Sequence, residues 1–236
     1  MSQKIAIISD IHGNLEAFKS VLDHILSQGL SNHQIYCLGD SVGYGPHPNE
    51  VLELLQTNQI VSILGNYDQS VAFKDKTEVQ LIPKSPKNAM AWTQINTKDN
   101  TKAYLRNLKQ NLSITIGTYT LLLTHGSPNS IKEYVYESDA ELQESISHFL
   151  EEEILLMGHT HYPYIKKVNN KTFINVGSVG RPKDGNPSAC YCMLELGKEV
   201  TAEFVRVAYN HEATAEAIKN STLSDEYIDH VLSGSI

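Results

Sequence analysis

Asp10 and His12 close the apolar run Ile5-Ala6-Ile7-Ile8-Ser9, and the same arrangement returns four more times along the chain. Asp40 follows Ile35-Tyr36-Cys37-Leu38, and Asn66 follows residues 60–64. His125 ends a run over 119–124, and His159 and His161 follow Ile154-Leu155-Leu156-Met157. Carboxylate and amide oxygens beside imidazole nitrogens suit Zn, Mn or Fe. One Asp-x-His at a strand end is explained by a capping carboxylate and a surface histidine. Five coordinating ends in order along one chain are not. A strand puts i and i+2 on one face, so Asp10 and His12 are expected to point at the same spot.

The elements that must carry these ends follow from the spacing. Leu15, Phe18, Leu22, Ile25 and Leu26 predict a helix over 15–28, with Gly29 as its C-terminal cap. Pro48 marks a second helix start. Strands at 35–38 and 60–64 complete a β-α-β-α-β pattern, which predicts a parallel sheet with helices on both faces. In such sheets ligands sit outside the carboxyl ends of the strands. Asp10, Asp40 and Asn66 all fall there. Residues 69–111 read as a mostly helical, cap-like segment broken by Pro83 and Pro86. Gly117-Thr118 predicts a hairpin turn. A helix over 138–151 precedes the strand before His159. Strands at 164–168, 172–176, 189–196 and 201–208 read as antiparallel meanders, and 210–232 as helical. No linker or repeat divides residues 1–236, so one domain is expected.

Composition bounds the class. With 236 residues, 41% hydrophobic and 19% charged, the chain has the balance of a soluble globular protein. No apolar run approaches the roughly 20 residues of a membrane span, and no signal peptide is evident at the start. Three cysteines without framework spacing, Cys37, Cys190 and Cys192, predict a reducing, cytoplasmic setting. Cys190-Tyr191-Cys192 reads as strand packing rather than a zinc site. A formal charge of −8 disfavours duplex nucleic acid as a partner. It permits a small phosphorylated substrate, because bound metal ions invert the local charge.

The ordered set Asp-x-His, Gly-Asp, Gly-Asn-x-Asp, Thr-His-Gly and Gly-His-Thr-His resembles the calcineurin-like metallophosphoesterases, of purple-acid-phosphatase type. Over residues 4–185 the chain is most similar to their small prokaryotic phosphodiesterase branch. The resemblance implies an α/β fold, an αββα sandwich, with two divalent metal ions: Mn, Fe, Zn, Co or Ni. It implies that Asp10, His12, Asp40 and His161 bind one ion, and Asp40, Asn66, His125 and His159 the other, Asp40 bridging. Two such ions roughly 3.5–4 Å apart clamp a phosphoryl oxygen and acidify a water. Asp10 and Asp40 leave that site near +2 before hydroxide binds, so an anion is attracted. The implied function is hydrolysis of phosphodiesters or activated phosphomonoesters by in-line attack of metal-bound hydroxide. The alternatives are a nucleotidase or dinucleoside polyphosphate hydrolase, a protein Ser/Thr phosphatase and, less favoured, a non-catalytic scaffold of the same fold. The partner is a small phosphorylated or nucleotide substrate; oligomeric state is left open.

One departure stands out. Many family members carry His after Gly-Asn, where this chain has Tyr67. A phenol, with reference pKa near 10, is a poorer proton donor at neutrality than imidazolium. Tyr67 acts weakly, His47 in the neighbouring Gly-Tyr-Gly-Pro-His loop replaces it, or the leaving group needs little help. Asp68 is expected to orient its neighbours. The loop 175–184 resembles the family's Asn-Pro-Gly-Ser loop with Val176 in place of Pro. It offers Arg181 to a phosphate, with Asn14 and Tyr67 as further substrate contacts. His24, His33, His148, His211 and His230 are expected at the surface.

Overall fold

The computed structural model describes residues 2–73, 84–85 and 89–235. In chain order the elements are β1 (Gln3–Ile8), α1 (Leu15–Ser27), β2 (Ile35–Cys37), α2 (Pro48–Thr57), β3 (Val61–Ser62) and α3 (Asn66–Phe73). Then come α4 (Ala89–Asn96), α5 (Asp99–Arg106), β4 (Asn111–Ile116), β5 (Tyr119–Thr124), α6 (Ala140–Phe149) and β6 (Ile154–Met157). The chain closes with β7 (Tyr164–Val168), β8 (Lys171–Asn175), β9 (Ala189–Leu196), β10 (Val200–Val207), α7 (His211–Lys219) and α8 (Glu226–Ser233).

Two five-stranded sheets form, ordered β10-β9-β1-β2-β3 and β4-β5-β6-β8-β7. Residue alternation in β1 shows how they stack. Ala6 and Ile8 pack with Phe18, Val21 and Ile25 of α1 and with Val51 and Leu55 of α2. Ile5 and Ile7 pack with Leu121, Leu123, Ile154 and Leu156 of the second sheet. Beyond that sheet, Leu155, Met157 and Phe173 meet Ile146 of α6. The result is the αββα sandwich that the resemblance implied. It corrects the expectation of helices on both faces of one sheet. A continuous apolar strand is buried on both sides, but here the second cover is another sheet.

Other local expectations also change. The strand expected over 60–64 pairs with β2 only at Val61 and Ser62. The helical stretch 210–232 divides into α7 and α8. The expected run of meanders is interrupted. β7 pairs antiparallel with β8, and β9 with β10, but β9 crosses to the first sheet and pairs with β1. Pro83 and Pro86 lie outside the described residues. Around them, Val71 and Ala72 of α3 and Leu105 of α5 join the core under the first sheet. The hairpin at Gly117-Thr118 forms as read, pairing Ile116 with Tyr119. Cys37, Cys190 and Cys192 are free and buried. Among the described residues, no helix is long and apolar enough to cross a membrane.

Candidate metal centre

The carboxyl ends of β1, β2, β5 and β6 meet at one edge of the sandwich, and the coordinating residues meet with them. Asp10, His12 and His161 form one donor group, and Asp40, His125 and His159 a second; all six are buried. The backbone route differs from strand alternation. Asp10, His12, Asp40, His159 and His161 all have positive φ, between 49° and 66°. β1 has ended at Ile8, and the loop is tied across to the next strand's loop by Asp10 N–H to Gly39 O (3.0 Å) and His12 N–H to Asp40 O (2.9 Å). Left-handed backbone at non-glycine residues is uncommon. Here it turns successive side chains inward.

Two glycines permit the close approach. At Gly39 (φ +92°) a Cβ would sit 2.4 Å from the Gly65 nitrogen. At Gly180 it would sit 1.8 Å from the Ile11 carbonyl oxygen.

Within the first triad, Asp10 Oδ1 lies 3.1 Å from His161 Nε2 and 3.5 Å from His12 Nε2, and the two Nε2 atoms are 3.2 Å apart. Each ring is oriented from behind: His12 Nδ1 bonds Val42 O (3.2 Å) and His161 Nδ1 bonds Arg181 O (2.5 Å). A carbonyl only accepts, so each Nδ1 carries the hydrogen and each Nε2 presents a lone pair. Asp10 Oδ2 accepts from Ser9 Oγ (2.7 Å) and from His159 N–H (3.0 Å), while Oδ1 is buried with no hydrogen-bond partner. Three lone pairs converge on a space with no donor, which is the demand of a cation. Burial works against the Asp10 charge, but His161 and His125 hold the carboxyl well below its ordinary value. Burial pulls His161 down to about 4 despite Asp10 beside it.

The second triad is arranged alike. His125 Nδ1 donates to Leu38 O (2.9 Å), and its Nε2 faces Asn66 Oδ1 (3.0 Å) and Asp40 Oδ2 (3.3 Å). His159 is reversed: Nε2 donates to Lys132 O (3.2 Å), leaving Nδ1 for the cluster. Asp40 Oδ2 also lies 3.9 Å from His12 Nε2, between the triads. Burial disfavours charge on His125, but Asp40 and Asp10 outweigh it and raise the imidazole to about 9. Both donor sets therefore fit divalent ions: each offers a hard carboxylate oxygen and imidazole nitrogens turned inward, and the Asp10 oxygen has no other partner.

Around the triads the remaining residues separate. Tyr67 N–H donates to Asp40 Oδ1 (2.7 Å), and its phenol hydrogen-bonds that of Tyr44. Both rings sit edge-on to His12, at 5.0 Å for Tyr44 and 5.4 Å for Tyr67. Burial and Tyr44 push the Tyr67 phenol above its ordinary value. Asp68 is buried and accepts from Val42 N–H and Gly65 N–H, both at 3.1 Å. Burial, with Asp40 nearby, lifts its carboxyl to about 7. Asn14 caps α1 through Ala17 N–H (3.2 Å) and also bonds Gly180 O, Tyr209 and Thr214, so its amide is fully used. Arg181 lies 4.1 Å above the Tyr44 ring, bonds His230 Nδ1 at 3.0 Å and keeps a buried Nε without a partner. His47 stands at the N-cap of α2, and neither triad includes it.

Tyr44 and His230 were not among the site residues expected from sequence. The Gly-Tyr-Gly-Pro loop pointed to Tyr44's position. Tyr227 and His230, at i and i+3 on α8, pointed to a shared face. The expected surface placement is corrected for three histidines. His230 holds Arg181, His24 bonds the Tyr191 hydroxyl (3.0 Å), and His211 bonds Pro187 O (3.0 Å). Each ring is half-buried and meets a partner distant in sequence through tertiary packing.

Comparison with known proteins places this geometry. Residues 3–199 match the calcineurin-like phosphoesterase superfamily domain. The uncharacterized protein MJ0912 of Methanocaldococcus jannaschii is 32% identical over 238 residues, covering 94% of each chain. Phosphodiesterase YfcE of Escherichia coli is 28% identical over 202 residues, covering 81% of this chain and 87% of its own. A metallophosphoesterase structure from Sphaerobacter thermophilus superposes with a TM-score of 0.81 at 28% identity, over 99% of this chain and all of its own. The matched domain takes in nine of the ten strands and both triads, and the chain belongs to the calcineurin-like phosphoesterase superfamily, among its small prokaryotic hydrolases.

Proposed function

We propose that the chain is a dinuclear-metal phosphoesterase acting on phosphodiesters or on phosphomonoesters with activated leaving groups. Asp10, His12, His161 and Asp40 hold one divalent ion, and Asp40, Asn66, His125 and His159 the other. The observation that carries this reading is the backing of the rings. His12, His125 and His161 each spend Nδ1–H on a backbone carbonyl, so in each ring Nε2 is the atom turned toward Asp10 Oδ1 or Asp40 Oδ2 and left for an ion. When bound, two such ions clamp phosphoryl oxygens and lower the pKa of an attacking water.

The protein's own groups set the rest. Arg181, stacked on Tyr44 and steadied by His230, holds its guanidinium charge beside the first triad, where it attracts a phosphoryl oxygen. The Tyr67 phenol, pushed upward and hydrogen-bonded to Tyr44, orients rather than gives up a proton. A substrate whose leaving group departs as a stable anion suits such a site. The likeness to an enzyme named as a phosphodiesterase supports the diester reading.

The test is hydrolysis by metal-stripped protein with Mn²⁺ restored. Its substrates are bis-p-nitrophenyl phosphate, p-nitrophenyl phosphate and a diadenosine polyphosphate, and His125→Ala is the control. Metal-dependent turnover, fastest with the diester and lost in the control, is expected. Turnover that survives metal removal, or a phosphorylated side chain trapped during turnover, would overturn the reading.

A further inference from the structure

Beyond the donor triads, Tyr134, Tyr136 and Tyr162 are 45%, 39% and 37% exposed, high for large aromatic rings grouped together. They are arranged, not scattered. Tyr134 stacks on His159 with ring centroids 4.0 Å apart and planes 18° from parallel. Tyr136 lies nearly parallel to Tyr134, 8° apart in plane and 5.8 Å between centroids. Tyr162 follows at 6.3 Å from Tyr136. The row thus begins on a residue of the second triad and leads outward. Beyond it, an open depression of about 720 Å³ is lined by Tyr136, Tyr162, Tyr164 and Lys166, with Glu137 and Asp184 also on its wall.

The backbone under the row is anchored. Val135, between the two tyrosines, is buried against Leu155 and Phe173, and its carbonyl accepts from Tyr164 Oη (2.9 Å). Gln143 Nε2 donates to Tyr136 O (2.7 Å), and Asp139 accepts from Tyr136 N–H (2.8 Å). Lys132 O holds His159. Burying Val135 therefore presents both neighbours on the open side. Exposed aromatic faces beside an anion site are what a nucleobase needs: every base has a π-face, and stacking is sequence-tolerant.

We infer that Tyr134, Tyr136 and Tyr162 form a stacking platform for the base of a nucleotide whose phosphate lies at the donor triads. The inference rests on the phosphoesterase reading and names its substrate class: nucleoside phosphodiesters or polyphosphates, not simple alkyl esters.

Two diesters that share the p-nitrophenolate leaving group test it, thymidine 5′-p-nitrophenyl phosphate and methyl p-nitrophenyl phosphate, with the Mn²⁺-loaded full-length protein. The nucleoside diester should have the higher kcat/KM by about fivefold or more, the low end of what one stacked base contributes. Tyr136→Ala and Tyr162→Ala should shrink that ratio toward one, and Tyr136→Phe should keep it. Calorimetric titration with AMP and with inorganic phosphate gives a readout independent of turnover. AMP should bind more tightly by a similar factor, and the alanine variants should lose the advantage. Equal turnover of both diesters with equal binding of AMP and phosphate overturns the platform and leaves the phosphoesterase reading standing. Turnover of neither diester, with AMP still preferred and the preference lost in Tyr136→Ala, supports the platform and ends the hydrolytic reading.

Discussion

On one flank of the donor triads, Tyr44 and Tyr67 bond hydroxyl to hydroxyl and wall in His12. On the other flank, Tyr134 stacks on His159 and Tyr136 lies beside it, and both residues stay exposed to solvent. The residue type is the same and its treatment is opposite. A phenol taken from water must find a partner for its hydroxyl, and on the closed flank each tyrosine is that partner for the other. There the rings are spent on holding His12 and Arg181. The open flank spends nothing on such bonds, and its rings are free for a ligand. The closed flank positions; the open flank receives.

This contrast presupposes that both flanks serve one metal centre, and the largest expected effect tests that. His125→Ala removes a donor of the second triad. Its metal-dependent kcat/KM should fall by more than the roughly 100-fold that losing an outer-shell partner costs. A variant that keeps its turnover would separate the flanks from any common chemistry.

The triads themselves should differ in their response to pH. His161 is neutral above about 4, so protons do not compete for its site near neutrality. His125 keeps its proton up to about 9, and an ion needs that Nε2 lone pair. Binding at the second triad must release the proton, so its affinity should rise about tenfold per pH unit up to that value and then level off. Affinity at the first triad should change less over the same range, because His161 adds no competing proton there. Mn²⁺ titration of the metal-free protein between pH 6 and pH 9 measures both. Two parallel profiles would abolish the distinction.

Ser9→Ala sharpens the view of the first triad. It removes the 2.7 Å bond that fixes Asp10 Oδ2 and so orients the unpartnered Oδ1. Metal affinity should fall roughly tenfold, the low end for an outer-shell partner. No change in affinity would mean that backbone alone orients Asp10.

The smallest effect is expected on the closed flank. Tyr67→Phe leaves the Tyr44 hydroxyl short of a partner and should cost about 1 kcal/mol of stability. Turnover of good and poor leaving groups should change by the same small factor. A loss that steepens with leaving-group basicity would make Tyr67 the proton donor and reverse the assignment of the two flanks.

Much of the candidate site was legible along the chain because its components are local. Each coordinating residue follows an apolar run, and several are preceded by Gly, so Asp10, Asp40, Asn66, His125 and His159 announce strand ends by composition alone. The helix start at Pro48 and the hairpin at Gly117 were equally local. What misled were inferences that needed a partner. Strand alternation was expected to aim Asp10 and His12 together, but β1 stops at Ile8 and left-handed backbone does the aiming. The repeated strand-helix pattern suggested helices over both faces of one sheet. A strand buried on both sides reads the same under a helix as under another sheet.

By itself, then, the sequence determined the donor types, their order and the ends of the elements that bear them. Those depend on residue chemistry and on spacing within a few positions. Only the tertiary structure decided that β9 leaves β8 to pair with β1, and that His230 of α8 reaches Arg181. Only there did four carbonyl partners settle which nitrogen each histidine presents. Only there did four tyrosines divide into a closed pair and an open pair. Each of these choices sets atoms far apart in sequence within a few ångströms. Burial and hydrogen-bond satisfaction select among such arrangements only when the whole chain has packed.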